Sequence, residues 1–262
     1  MRCQIDILGV GLAAPGLPDW HQFQSVLRGL PLDPAAKPAP SSLLSPRERR
    51  RAPAAVKLTF PAAEQACSMA GIEPGKPLAL FSSGMGDLDI TDYMCRTLAE
   101  TPNLLSPTRF HNSVHNAASG YWSIGAGATG EVTALSAWCD SAALGLLDGM
   151  TRTVTGSEPV LVVIYDDHAT GPMRDLWPGD HAFCAALLMS PPGQRGSIAQ
   201  LEMTICREAS RHPALPAALQ ARIDDNPAAR ILPVLALIAG EIDGEVVLAP
   251  ERGPALKITR SA

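Results

Sequence analysis

No run of about 18 uninterrupted apolar residues occurs in this sequence, so no segment offers a membrane-spanning helix and no membrane partner is expected. An excess of cations is lacking too. The 21 Lys+Arg stand against 26 Asp+Glu, a net charge of −5, which argues against a nucleic acid as the main partner. The six cysteines, at positions 3, 67, 95, 139, 184 and 206, form no C-x-x-C pair and no metal-finger spacing. They read instead as small hydrophobes in a reducing cytoplasm, with no metal and no cofactor expected. Low-complexity tracts and internal repeats are absent. Aromatic side chains are scarce at 5%, yet 46% of the 262 residues are hydrophobic and 18% charged, enough apolar material to exclude intrinsic disorder. Asp6 interrupts the first apolar run, so the N-terminus does not read as a secretory signal.

What is present alternates between the two hydrophobic periods. Ile5 to Leu12 reads as a buried strand, Trp20 to Leu30 as a short helix, and residues 31–46, rich in proline, as an extended loop. Ala54 to Ala70 has helical periodicity and Gly71 stops it. Leu78 to Gly86 is a strand running into a small-residue turn, and Asp89 to Glu100 a helix. Residues 107–116 read as a polar loop before a helix at Ala117 to Ile124. Val132 to Trp138 reads as a strand, with Cys139-Asp140-Ser141 opening a helix at Ala142 to Met150. Pro159 to Tyr165 is apolar almost throughout, the mark of a central strand covered on both faces. Phe183 to Met189, Ile198 to Ala209 and Val246 to Ala249 read as further strands. Strands alternating with helices, some of the strands buried on both faces, give the α/β class.

Several features can carry chemistry. Cys139 stands at a strand-to-helix junction, where unpaired N–H groups and the helix dipole favour a thiolate, as in a nucleophile elbow; Asp140 beside it opposes one. His111 and His115 are four apart and would share a helical face, but no third ligand follows, so hydrogen bonding by a loop competes with metal binding. Asp166, Asp167 and His168 follow the central strand, placed for acid–base work or for a solvated turn. Gly9-Val10-Gly11 suggests a dinucleotide loop but lacks the third glycine. Arg47, Arg49, Arg50 and Arg51 form one basic run around Glu48, a solvated helix start or a dock for an acidic protein.

Taken in order, these segments resemble the β-ketoacyl synthase branch of the thiolase-like superfamily. The resemblance rests on Ile5 to Pro15, on Phe81-Ser82-Ser83-Gly84-Met85-Gly86-Asp87, and most of all on Ser106 to Ile124. Leu135-Ser136-Ala137 through Ser141 and Gly145-Leu146-Leu147 agree with the chain-length-factor-like proteins of aryl polyene pathways. The resemblance implies an α/β thiolase-like fold corresponding to the N-terminal half of a ketosynthase, a mixed five-stranded sheet covered by helices, with residues 1–262 as one domain and 195–262 completing its sheet. It implies Cys139 at the nucleophile position, vestigial because no H-G-T-type or N-x-H-type segment follows residue 190. Carried over, Val132, Thr133, Ala134, Leu135, Ser136, Ala137 and Trp138 form the interface strand, and Phe110, His111, Asn112, His115, Asn116, Tyr121 and Trp122 shape a substrate tunnel. The function implied is a non-catalytic subunit paired with a full-length ketosynthase, acting on acyl chains held by an acyl carrier protein. The alternatives are an acyl-transferring or acyl-hydrolysing enzyme using Cys139, and a stand-alone acyl- or carrier-protein-binding module.

Overall fold

The computed structural model describes residues 2–261. The chain opens with strand β1 (Arg2–Ala13) and helices α1 (Trp20–Leu27), α2 (Pro46–Arg51) and α3 (Ala54–Ala70). Strand β2 (Leu78–Ser82), helices α4 (Leu88–Glu100), α5 (Pro107–His111) and α6 (Ala117–Gly125), and strand β3 (Val132–Leu135) follow. After α7 (Ser141–Thr155) come β4 (Val160–Asp166), β5 (Phe183–Ser190) and β6 (Ala199–Cys206). Helices α8 (Ala217–Asp225) and α9 (Leu232–Ala239) and strands β7 (Glu245–Leu248) and β8 (Ala255–Arg260) complete it.

The strands form one mixed sheet in the order β3-β2-β4-β5-β1-β6-β8-β7. It has eight strands, not the five that the resemblance implies. Three strands lie beyond β1: β6 and β7 fall on the expected Ile198–Ala209 and Val246–Ala249, β8 was not expected, and β1 offers an antiparallel edge to β6 from Arg2↔Thr204 to Ile7↔Ala199. Strand β8, Ala255–Arg260, carries Lys257 and Thr259 between apolar residues and gave too short an alternating pattern to stand out. Strands β3, β2 and β4 run parallel, and β5 and β1 antiparallel to their neighbours.

Helices cover both faces, which is why β4 and β5 are buried along their whole length. Val160, Val162 and Ile164 face one core with Leu146 and Met150 of α7 and the apolar helix α9. Leu161, Val163 and Tyr165 face the other core with α3 and α6. Trp122 of α6 is fully buried there, edge-on to Phe60 at 5.2 Å and tilted to Phe81 at 6.0 Å.

Gly9 and Gly11 belong to β1 itself and form no nucleotide loop. A β-carbon on Gly9 would collide with the Ala66 carbonyl, and one on Gly11 would lie 2.8 Å from the Ala62 carbonyl carbon. The glycines therefore let the α3 backbone rest directly on the strand. Gly120 of α6 is the opposite case, with nothing within 4 Å of a β-carbon. Gly120→Ala should therefore raise stability by roughly 0.5–1 kcal/mol in urea melts, because it removes unfolded-state freedom without cost in the fold.

Other expectations are corrected at their ends. The 107–116 segment is not all loop: Ser106 caps α5, accepting from the Arg109 N–H at 3.4 Å, with Pro107 at the first helical position. The strand expected over Val132–Trp138 ends at Leu135, because Ser136 turns aside to donate to the Gly84 carbonyl at 2.8 Å. Among the described residues no helix is long and apolar enough to cross a membrane.

Candidate functional site

The parallel strands β2, β3 and β4 end together, and their turns meet beneath Cys139. At the end of β4, Asp166 is buried and holds the glycine-bearing turn after β2: the Ser83 hydroxyl donates to its Oδ1 at 2.8 Å and the Gly84 N–H at 2.9 Å. Oδ2 is buried and has no hydrogen-bond partner among the described residues. Burial pushes this carboxyl up to about 7, against the pull of the bonds from Ser83, Gly84 and Met85. An acid whose folded pKa lies above its unfolded value of about 3.9 holds its proton more firmly in the fold. Stability should therefore fall as pH rises from about 4 to 7, by about 4 kcal/mol, and level off above that. Asp166→Asn should flatten this slope in urea melts taken from pH 5 to 8. A variant with the wild-type slope would assign it to another group.

Asp167 and His168 go elsewhere. Asp167 Oδ1 lies 2.7 Å from His168 Nδ1, and that ring is half exposed. The three consecutive polar residues therefore split into a buried acid that holds the β2 turn and a second buried acid, Asp167, paired with the half-exposed His168 ring.

The elbow itself is strained. Trp138 has φ 53°, the one positive φ of a non-glycine residue among those described. Its ring meets Trp177 edge-on at 5.0 Å, and its carbonyl accepts from the Ser141 hydroxyl at 2.8 Å. These contacts over-determine the turn and hold a conformation that costs on the order of 1–3 kcal/mol. Cys139 follows, in a 3₁₀ turn Trp138–Asp140 that leads into α7. The thiol is buried, and burial raises its pKa, as do the carboxylates of Glu251, Asp166 and Asp140; Arg230 opposes them. The helix terminus that would favour a thiolate is thus opposed by burial and by the carboxylate expected beside it, Asp140, together with Glu251 and Asp166.

Residues from beyond position 195 lock the elbow from outside. Arg230 Nη1 donates to the Cys139 carbonyl at 3.0 Å, and the Glu251 N–H donates to Asp140 Oδ2 at 3.0 Å. A cavity of about 240 Å³ opens beside them, lined by Cys139, Ala143, His212, Arg230, Pro233 and Leu248 among others. His212 Nδ1 lies 2.8 Å from the Pro213 carbonyl, which leaves Nε2 free of that contact. Sequence reasoning missed Arg230, His212 and Glu251. Each stands many tens of residues from Cys139, and no motif marks it.

The residues expected to shape a tunnel separate into three groups. His111, Asn112, Asn116 and Tyr121 line one groove of about 580 Å³ with Val114 and Ile124. The Tyr121 hydroxyl donates to Asn112 Oδ1 at 3.3 Å. His115 and Trp122 are turned inward: His115 Nε2 sits 3.0 Å from the Ser83 carbonyl, and Trp122 fills the core. Trp122 is thus a packing residue, because its large ring is needed between Phe60 and Phe81. Phe110 is outside the groove and 58% exposed. His111 ends α5 while His115 lies in the turn beyond it, so the two imidazoles share no helical face. Among the described residues no group of three or more His, Cys, Asp or Glu is placed to hold a metal ion.

Of the interface residues, Val132 to Leu135 form β3 at the edge of the sheet, half-buried and paired only with β2. Ser136 and Ala137 leave the strand, and Trp138 remains 47% exposed. The basic run is helix α2, opened by a capping box in which Ser45 and Glu48 bond reciprocally.

A mixed sheet covered on both faces, with a cysteine on the turn from the edge strand β3 into α7, is the thiolase-like α/β arrangement that the resemblance implied. The chain belongs to the family of beta-ketoacyl synthase N-terminal domains, whose family model matches residues 20–233. No curated protein matches the sequence. Among solved structures, it is similar to a chain of a ketosynthase in complex with its chain length factor from Xenorhabdus doucetiae. That match has TM-score 0.72 and 21% identity, covering 98% of this chain and 99% of that one. The ishigamide ketosynthase/chain length factor matches at TM-score 0.71 and 14% identity, over 98% and 99%. A type II polyketide synthase acyl-carrier protein in complex with its ketosynthase bound to the hexaketide matches at TM-score 0.69 and 13% identity, over 100% of both chains. At these identities the likeness establishes the fold.

Proposed function

We propose that this protein is a chain-length-factor-like subunit, catalytically silent in condensation, that pairs with a full-length ketosynthase in the cytoplasm. The partner would extend polyene, polyketide or fatty acyl chains held on an acyl carrier protein, and the aryl polyene pathways are the setting its sequence fits best. The observation that carries this reading is an intact elbow with a disarmed thiol. The resemblance puts Cys139 at the nucleophile position, but the thiol is buried, burial raises its pKa, and three carboxylates oppose its ionisation. Its sulfur makes no hydrogen bond to a base among the described residues. A condensing enzyme needs an activated nucleophile and donors for the oxyanion. The free edge of β3, beside the exposed Trp138 ring, offers the surface on which a partner would supply them.

One observation favours a second reading. His212 and Cys139 line the same cavity, the pairing of imidazole and thiol residues that an acyl-transferring or acyl-hydrolysing enzyme requires. Two measurements decide. Co-expressed with a ketosynthase from the same gene neighbourhood, the chain should co-elute with it on size exclusion. Incubated with acyl carrier protein or acyl-CoA, it should show no mass increase at Cys139. Acylation that disappears in Cys139→Ser would establish the second reading and sink the first.

A further inference from the structure

Residues 37–57 contain six cations and one acid in a chain of net charge −5. The acid, Glu48, is committed to the Ser45 capping box. Among the described residues no ion pair engages Lys37, Arg47, Arg49, Arg50, Arg51 or Lys57. Three of them, Lys37, Arg49 and Lys57, border a groove of about 480 Å³ between the proline-rich strap at 37–41 and the first half of α3. Pro38, Pro40, Leu44, Leu58, Phe60 and Pro61 contribute its apolar lining. The groove's one acid, Asp167, has its Oδ1 occupied by the His168 amide and lies beside the His168 ring, each at 2.7 Å. This groove is separate from the Cys139 cavity and shares no residue with it.

From this combination we propose that the groove is a binding site for an amphipathic anion, a straight-chain carboxylate of medium length. The volume suits a small ligand, since such sites run to roughly 300–1,000 Å³. Proline-built walls hold their shape without a ligand, so little ordering is needed on binding. Apolar walls accept a hydrocarbon chain, and three cations without acidic partners accept its head. A neutral chain would leave those cations unused, and a short anion would leave the walls wet. The site goes beyond the pairing role proposed above and does not depend on it.

The test is titration calorimetry on the full chain with octanoate, decanoate and 1-decanol, all below their micelle concentrations. Decanoate should bind saturably at one per chain, and each methylene buried should tighten binding by about fourfold. Decanol should bind more weakly than decanoate. Lys37→Glu combined with Lys57→Glu, two exposed and unpaired positions, should weaken decanoate at least tenfold at low salt with an unchanged thermal melt. Absence of saturable binding would overturn the proposal. So would decanoate affinity that ignores the double reversal, or a reversal that abolishes only assembly with a ketosynthase, which would make the groove a protein-docking surface.

Discussion

Ala134→Pro is expected to abolish co-elution with a ketosynthase partner while leaving the chain folded. The reasoning starts from the β3 ladder. Strand β2 takes its bonds from alternate carbonyls of the β3 segment, with the Ala79 N–H donating to Glu131 at 3.0 Å and the Ser83 N–H to Leu135 at 3.1 Å. In a parallel pair the groups of the intervening residues point the other way. Val132 and Ala134 therefore present their N–H and C=O groups to the open edge. Proline at 134 removes an outward donor and places a ring where a partner strand would lie, yet costs β2 nothing. An edge strand is also the one place in a sheet that tolerates proline. Lost strand pairing should weaken assembly at least tenfold, at about 1 kcal/mol for each hydrogen bond and more for the steric conflict. Size exclusion of the co-expressed pair reads the assembly, and a thermal melt of the variant reads the fold. A variant that still co-elutes would remove β3 from the interface. One that no longer melts cooperatively would show that the proline broke the inner ladder instead.

The parts of this fold that depend on local periodicity were legible from the sequence. Helix α3 runs over the expected Ala54–Ala70, stopped by Gly71 in the left-handed conformation at φ 66°. Strand β4 appears as one continuous apolar run because both its faces are covered. What was not legible depends on partners distant in sequence. Strands β6 and β7 fall on segments whose apolar pattern could be read, but β8 did not stand out, and the order β1-β6-β8-β7 follows from pairing between distant segments. The elbow shows the same division. Its cysteine and its position before α7 could be read, but the sign of the thiol's shift could not. That sign follows from burial and from Glu251 and Asp166, brought in by the fold. Trp122 looked like a ring that stops a growing chain, since size and hydrophobicity do not distinguish a tunnel from a core. Its neighbours Phe60 and Phe81, far apart in sequence, decide the matter.

Gly11→Ala should cost about 4–6 kcal/mol of stability. The new β-carbon would lie 2.8 Å from the Ala62 carbonyl carbon and 2.9 Å from Gln65 Cβ, and closer still to the Ala62 oxygen. These neighbours are helix backbone and the root of a side chain, so no rotamer change relieves the overlap. Relief requires α3 to lift from the sheet. That helix buries Phe60, Ala62, Ala63, Ala66 and Cys67 on it, so lifting opens gaps along the whole face. It also breaks the clamp in which Gln65 accepts from the Leu12 N–H at 3.1 Å and donates to the Leu12 and Pro18 carbonyls at 3.0 Å. Overpacking alone costs about 1–3 kcal/mol, and the lost clamp adds about 1 kcal/mol for each bond. The sum, about 4–6 kcal/mol, is a large share of the 5–15 kcal/mol that holds a typical domain. It corresponds to a melting temperature lower by about 10–20 °C or to a chain recovered only in aggregates. Gly120→Ala, which adds the same methyl group where nothing lies within 4 Å, is the matched control and should melt slightly higher than the wild type. If the two variants melt alike, the two glycines of β1 are not what seats the helix on the strand.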